Sequence, residues 1–298
     1  MKRQHIAVLL SFLCLLAAPL AAQTTIGGNP CNSASVNGPY SVSITGRQVT
    51  TAGAFTNVFQ ANGTATFDGL SAVTMALTVD SNQSVGSSVT WSGTYSLQSN
   101  CVGVVTITKG GSATLNLAVF NNGVAAGNLA ANFVLSGNDA SYSYSGNGNV
   151  QPTGCSASLL TGIYTFNATG YTLSGTSVNG SAAAVGLLQF DGQGHVTANV
   201  TFSPANSNTS SLTGSYSVSS NCLGSATLSD GKGGSYVMSF SLEDVTPVAA
   251  PLYAGNVFVG LAQNGKFIVT GAAHAIQNQP TSTATAAIRS LGGEGGRS

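Results

Sequence analysis

Residues 195–202 place Val196, Ala198, Val200 and Phe202 on one side of an extended chain and Thr197, Asn199 and Thr201 on the other. That period of two marks a strand with one buried face. The same alternation aligns Tyr164, Phe166 and Ala168, then Tyr236, Met238, Phe240 and Leu242, then Val257, Val259 and Leu261. Turn signals separate these runs: Gly170, Asp191-Gly192, the segment 206–208, Asn221, Asp230-Gly-Lys-Gly, the proline-bounded 247–251 and Asn264-Gly265. Glycine, asparagine and aspartate accept the backbone angles that tight hairpins need. The pattern predicts about eight strands over residues 155–278 and a similar number over 31–151. No window has helical apolar spacing, and glycine recurs too often to favour a helix.

The two halves repeat one another. Cys31, Gly38-Pro-Tyr40 and Thr45-Gly46 match Cys155, Gly162-Ile-Tyr164 and Thr169-Gly170 at a constant offset of 124. Phe67-Asp68-Gly69 matches Phe190-Asp191-Gly192, and Gly93-Thr-Tyr95 leading to Asn100-Cys101-Val-Gly103 matches Gly214-Ser-Tyr216 leading to Asn221-Cys222-Leu-Gly224. Lys109-Gly-Gly-Ser112 matches Lys232-Gly-Gly-Ser235. Agreement spread over a whole half of the chain indicates duplication of one structural unit. Gln151-Pro-Thr-Gly154 is the expected link, giving modules at 31–151 and 155–278. The Thr/Ala/Gly-rich stretch 279–298 lacks an apolar period and is expected to be a disordered tail.

Eight short strands joined in sequence predict an all-β chain of two tandem antiparallel up-and-down barrels, which leave no open edge; two-sheet β-sandwiches are the alternative. Gly-x-Tyr on the first strand of such a barrel resembles the calycin group, which includes lipocalins and allene-oxide-cyclase-type barrels. Lipocalins carry Gly-x-Trp there, whereas this chain has Tyr40 and Tyr164. The repeated Gly-x-Tyr, Phe-Asp-Gly, Gly-x-Tyr and Asn-Cys-x-Gly series is also similar to uncharacterised modules in exported proteins of soil bacteria such as acidobacteria. The resemblance implies a barrel fold and no particular activity.

The first residues set the expected compartment. Lys2 and Arg3, the apolar run from Ile6 to Leu16, and the small residues to Ala22 read as a secretory signal peptide over 1–22, with the mature chain beginning near Gln23. The run is too short for a transmembrane helix. Cys14 follows Ser11-Phe12-Leu13 and not the small residues of a lipoprotein cleavage site. Cys31, Cys101, Cys155 and Cys222 then remain, an even number that reads as disulfides in an exported chain. Since each module has one early and one late cysteine, the pairing Cys31–Cys101 and Cys155–Cys222 is favoured.

Charged residues form 5% of the chain, against about 25% in ordinary globular proteins. Of eight acidic and eight basic residues, cleavage removes Lys2 and Arg3 and leaves six bases. Such a surface offers no footprint for nucleic acid. A metal site would have few ligands, since no C-x-x-C pair occurs and only His195 and His274 remain in the mature chain. No Gly-x-Ser-x-Gly elbow or phosphate-binding glycine loop is present. Neither a cofactor nor a catalytic set is expected.

Asp191-Gly-Gln-Gly-His195 is the one segment that brings a carboxylate and an imidazole close together, and Asp191 and His195 are the candidate ligand-binding residues. Asp-Gly is also a preferred hairpin turn, and Asp68-Gly69 keeps the turn without the histidine. Glu243-Asp244, the adjacent acids, are expected in a solvated loop. The recurrent Tyr40, Tyr164, Tyr95 and Tyr216 suit core packing better than a ligand box, and Trp91 is expected as a buried strand residue. The residues therefore favour an exported, non-enzymatic β-repeat protein with a binding or cell-surface structural role, acting on a cell-surface or glycan partner. A lipocalin-like carrier of a small apolar ligand, an allene-oxide-cyclase-type enzyme and an outer-membrane barrel are the alternatives.

Overall fold

In the computed structural model, which describes residues 25–26, 29–49, 55–120, 129–139, 141–203, 209–246 and 253–276, the alternating runs are strands joined in sequence. A short pair, β1 (Thr25–Ile26) and β2 (Asn29–Pro30), comes first. The first repeat then forms β3 (Asn37–Val49), β4 (Phe55–Asp68), β5 (Ala72–Ser81), β6 (Ser87–Leu97), β7 (Val102–Lys109), β8 (Ala113–Phe120), β9 (Asn132–Asn138) and β10 (Ser143–Val150). Each strand pairs antiparallel with the next, and β10 pairs back onto β3 to close the barrel. The second repeat builds β11 (Thr161–Ser174), β12 (Ser177–Asp191), β13 (His195–Ser203), β14 (Thr209–Val218), β15 (Leu223–Ser229), β16 (Ser235–Thr246), β17 (Tyr253–Gln263) and β18 (Phe267–Ala275), with β18 closing onto β11. Both expected barrels form, in place of the alternative sandwiches, and closure leaves no unpaired edge strand within either barrel. The expected signal peptide at 1–22 and tail at 279–298 lie outside the described residues, as do the turn segments 206–208 and 247–251.

The repeated glycines serve two purposes. Gly38 and Gly162 sit at φ of 93° and 98°, in the left-handed region that glycine enters without a Cβ penalty, so the Gly-x-Tyr motif turns the chain into the first strand. Gly93 and Gly214 have ordinary φ, but a Cβ there would collide with the carbonyl oxygens of Thr106 and Thr227 on the neighbouring strand.

Aromatic rings fill the bores. In barrel 1, Tyr40, Phe67, Tyr95 and Phe133 pack with centroids 4.9 to 5.7 Å apart. Further along the axis Phe59, Trp91, Tyr142 and Tyr144 form a second layer. Barrel 2 repeats the first layer with Tyr164, Phe190, Tyr216 and Phe240 and the second with Phe202, Tyr236 and Phe267. Trp91 is buried as expected. The tyrosine hydroxyls bond to backbone: Tyr40 donates to Ala130 O at 2.8 Å and Tyr164 to Ala254 O at 2.8 Å. Burial pushes the Tyr40 hydroxyl up to about 12.

Short 3₁₀ turns, Ser33–Ser35 and Ala157–Leu159, precede the first strand of each barrel. The second of them touches β14 and β17, which stand three strands apart around the wall, so it lies across the barrel mouth. Tyr95 Oη lies 2.9 and 3.0 Å from the Ser33 and Val36 carbonyls, and Tyr216 Oη 3.0 and 2.9 Å from those of Ala157 and Leu160. Disulfides Cys31–Cys101 and Cys155–Cys222 fasten each cover, with Cα atoms 5.0 Å apart in both. Two disulfides suit an oxidising environment outside the cytoplasm.

The barrels dock side by side. Outward residues of barrel 1 that alternation alone would leave in water, Ser41, Ser43, Gln60, Asn62 and Thr64, are buried where β3 and β4 meet β12, β16, β17 and β18. Gln60 Nε2 donates to Val269 O at 2.6 Å, Asn62 Nδ2 to Ser239 Oγ at 3.4 Å, and Ser41 Oγ to Leu242 O. Beside this polar centre an apolar cluster of Val58, Leu173, Ala262 and Ile268 spans both barrels.

Candidate functional site

Asp191 ends β12 and His195 begins β13, so the hairpin brings them together. Asp191 Oδ1 accepts from the Gln193 and His195 amides at 2.7 and 2.9 Å, and Oδ2 meets His195 Nδ1 at 2.9 Å. Desolvation opposes ionisation, and those amides together with the histidine outweigh it, holding the carboxyl at about 2. The His195 side chain is 78% exposed, and no wall encloses the pair. Asp68 does the same work in barrel 1, accepting from the Leu70, Ser71 and Ala72 amides at 2.8, 2.8 and 2.9 Å. In both barrels the aspartate caps its turn through backbone amides. His274, the other histidine, contacts Asn256 Oδ1 at 2.7 Å on the surface of β18.

Glu243 departs from the expected solvated loop. It lies on β16, and a register shift between Leu242 and Asp244 bends the strand there. The Glu243 side chain turns into the seam between the barrels, where Asn149 Nδ2 donates to Oε2 at 2.8 Å and Asn132 supports Asn149. Asp80, fully buried on β5, is the second acid in the seam. It accepts from Gly86 N at 2.7 Å, and Ser239 Oγ lies 3.5 Å from Oδ2. Desolvation raises its pKa to about 6 against those two hydrogen bonds. Sequence reasoning missed both acids as seam residues. A faint signal was present: β17 reads Val257-Phe258-Val259-Gly260-Leu261-Ala262, where Phe258 breaks the alternation because both of its faces are covered.

Where β3 and β10 of barrel 1 approach β17 and β18 of barrel 2, a groove of about 420 Å³ opens. It is lined by Ser43, Thr45, Ser145, Asn147, Phe258 and Thr270. Ser43 Oγ and Thr270 Oγ1 are 3.4 Å apart across the seam, and Thr45 Oγ1 lies 2.9 Å from Ser145 Oγ. Its lining consists of hydroxyls, an amide, backbone at Gly146 and Gly271, and apolar groups, with no charged side chain. It is a concave, open surface of mixed polarity. None of its residues was singled out from sequence, because each sits at an ordinary outward strand position until the barrels meet.

No family model and no curated protein matches this chain. Among solved structures, it is similar to a DUF3598-family protein of unknown function from Nostoc punctiforme, at 10% identity and a TM-score of 0.26, covering 81% of this chain and 97% of that one. It is also similar to a candidate AttH from Nitrosomonas europaea, at 10% identity and a TM-score of 0.21, covering 78% and 92%. Among the described residues no three His, Cys, Asp or Glu side chains gather as a metal site, and no helix is long and apolar enough to cross a membrane.

Proposed function

We propose that this is an exported, non-enzymatic binding protein that acts through the outside of its paired barrels, holding a neutral polyhydroxylated ligand such as a cell-surface glycan in the seam groove. The observation that carries the reading is the groove itself, lined by hydroxyl and amide groups without charge. Ring layers in both bores weigh against a lipocalin-like carrier and against an allene-oxide-cyclase-type site inside a barrel. Outward Thr197, Asn199, Thr213 and Ser215 stand where a membrane-spanning wall needs an apolar band, which weighs against an outer-membrane barrel. Export rests on the expected signal peptide at 1–22 and on the disulfides. Titration calorimetry with a panel of neutral oligosaccharides tests the reading. An Asn147→Ala, Thr270→Val double variant is expected to weaken binding about thirtyfold, since it removes two hydrogen bonds worth about 1 kcal/mol each. Absence of binding at millimolar glycan, or binding that ignores both substitutions, would refute it.

A further inference from the structure

The seam encloses a carboxylic acid that neither barrel buries by itself. Val73, Met75 and Leu77 of β5 enter the core of barrel 1, so Asp80 stands on the outward side of that strand. Barrel 2 covers it. A Cβ at Gly260 of β17 would lie 3.4 Å from Asp80 Oδ2, 2.8 Å from Ser239 Oγ and 2.7 Å from Asn62 Nδ2, so the missing side chain lets β17 close over the acid. Ser203 holds the equivalent place in barrel 2 and is exposed; the acid occurs only on the copy whose face is covered.

The groups around Asp80 divide between the two sides. Gly86 N, donating at 2.7 Å, belongs to barrel 1 and stays with the carboxyl wherever the barrels sit, whereas Ser239 Oγ, 3.5 Å from Oδ2, belongs to barrel 2. Gln60, its cross-strand neighbour, and Asn62 are neutral. The strands that surround the acid, β4, β5, β6, β16 and β17, contain no lysine, arginine or histidine. Their other titratable residues stand elsewhere: Asp68 caps the turn at the far end of β4, Tyr95 bonds to the cover, Tyr236 lies in a ring layer of barrel 2, and Tyr253 begins β17. Glu243, bonded to Asn149 and followed by Asp244, is four residues along β16 from Ser239, about 13 Å on an extended strand. Burial without a cation holds Asp80 at about 6 in the docked protein.

Parting the barrels would return this carboxyl to water and leave each barrel whole, since each is a closed sheet with its own core and its own disulfide. The link between them ends in exposed Thr153 and Gly154, the latter at φ of 72°. We propose that the seam is a pH-gated joint, docked while Asp80 is protonated and opening between intact barrels when it ionises. The groove takes Ser43, Thr45, Ser145 and Asn147 from one barrel and Phe258 and Thr270 from the other, so the joint decides when the groove exists, whatever it binds. Below pH 3.8 the acid is protonated in docked and parted forms alike, and docking is at full strength. From there to about 6 parting releases a proton, so docking weakens as pH rises, by about a hundredfold in all, and then levels off.

Thiol accessibility at the seam tests this without any ligand, so its outcome is separate from that of the glycan titration. Val58 is 1% exposed, in the cluster it shares with Leu173, Ala262 and Ile268 of barrel 2. In a disulfide-bonded Val58→Cys chain, reaction with dilute dithiodipyridine, corrected for the unsubstituted chain and for the urea-unfolded rate at each pH, reads the open fraction. It is expected to rise about thirtyfold from pH 4.5 to 7.5. Ala262→Cys, on the facing wall, reports independently and is expected to show the same rise. Adding Asp80→Asn, whose amide still accepts from Gly86 N, is expected to flatten it. Val42→Cys and Val200→Cys, inside the two barrel cores, are expected to stay unreactive throughout. A flat rate at both seam positions overturns the proposal. So does a rise that survives Asp80→Asn, which would assign it to another group such as Glu243, and so does an equal rise at the core positions, which would make the event unfolding.

Discussion

Tyr164 shows what one side chain contributes here. Its ring sits in the first aromatic layer against Phe190, and its hydroxyl donates to Ala254 O at 2.8 Å, tying β11 to the start of β17. Tyr164→Phe keeps the ring and leaves a buried carbonyl short of a donor. It is expected to destabilise barrel 2 by about 1–2 kcal/mol, read as a lower melting temperature. That Tyr40 and Tyr164 are core residues was readable from their alternation with small and polar neighbours, and their hydroxyl partners were not, since each partner lies 90 residues away. Asp191 and His195 illustrate the opposite case. Their proximity was legible because they are four residues apart, and an Asp-Gly turn was the preferred reading of it; Asp191 accepts from the Gln193 and His195 amides within that turn.

Among elements, the short cover over each barrel mouth depends most on covalent support. A 3₁₀ turn of three residues has little cooperativity of its own. It is held by a disulfide, by the tyrosine of the second Gly-x-Tyr motif and, in barrel 1, by Asn32, which caps the turn by accepting from Ala34 N at 2.9 Å. Cys101 and Cys222 themselves adopt φ of 65° and 62°, a conformation that costs a non-glycine residue energy and is retained where the crosslink demands it. A Cys31→Ala, Cys101→Ala variant opens a loop of 70 residues and is expected to lose about 4 kcal/mol in the chain-entropy model. Urea unfolding of barrel 1, compared with the intact chain under oxidising conditions, measures it. The disulfide pairing was legible because a duplicated unit repeats its crosslink. The covers were not, since a three-residue turn leaves no periodic trace.

At the scale of the whole molecule, the seam between the barrels sets the response to pH. Asp80 is fully buried there and keeps its proton up to about pH 6, against 3.8 for an ordinary aspartate. Below pH 3.8 it is protonated in folded and unfolded chains alike, and its full contribution to stability is present. Between 3.8 and about 6 unfolding releases a proton, so stability falls as pH rises, by about 3 kcal/mol over that window, and then levels off. Asp68, Asp139, Asp191 and Asp230 are shifted downward and act below the window. Asp80→Asn is expected to flatten the stability profile from pH 4 to 6.5, measured by denaturant titration at each pH; an unchanged slope would assign it to other groups. By itself the sequence determined the strands and the duplication, favoured barrels over sandwiches and favoured one pairing of the cysteines, because period-two burial, hairpin turns and repeated cysteines act over short range or recur in register; closure of each barrel was decided by the tertiary structure. Only the tertiary structure decided that Asn62 and Thr64 are covered while Val185 and Leu187 are open, that Glu243 and Asp80 are buried, and that a hydroxyl-lined groove exists. Alternation distinguishes the inside of a barrel from its outside, and both copies carry the same alternation. Which outside faces meet depends on shape and hydrogen bonding between surfaces far apart in the chain, and no local period records it.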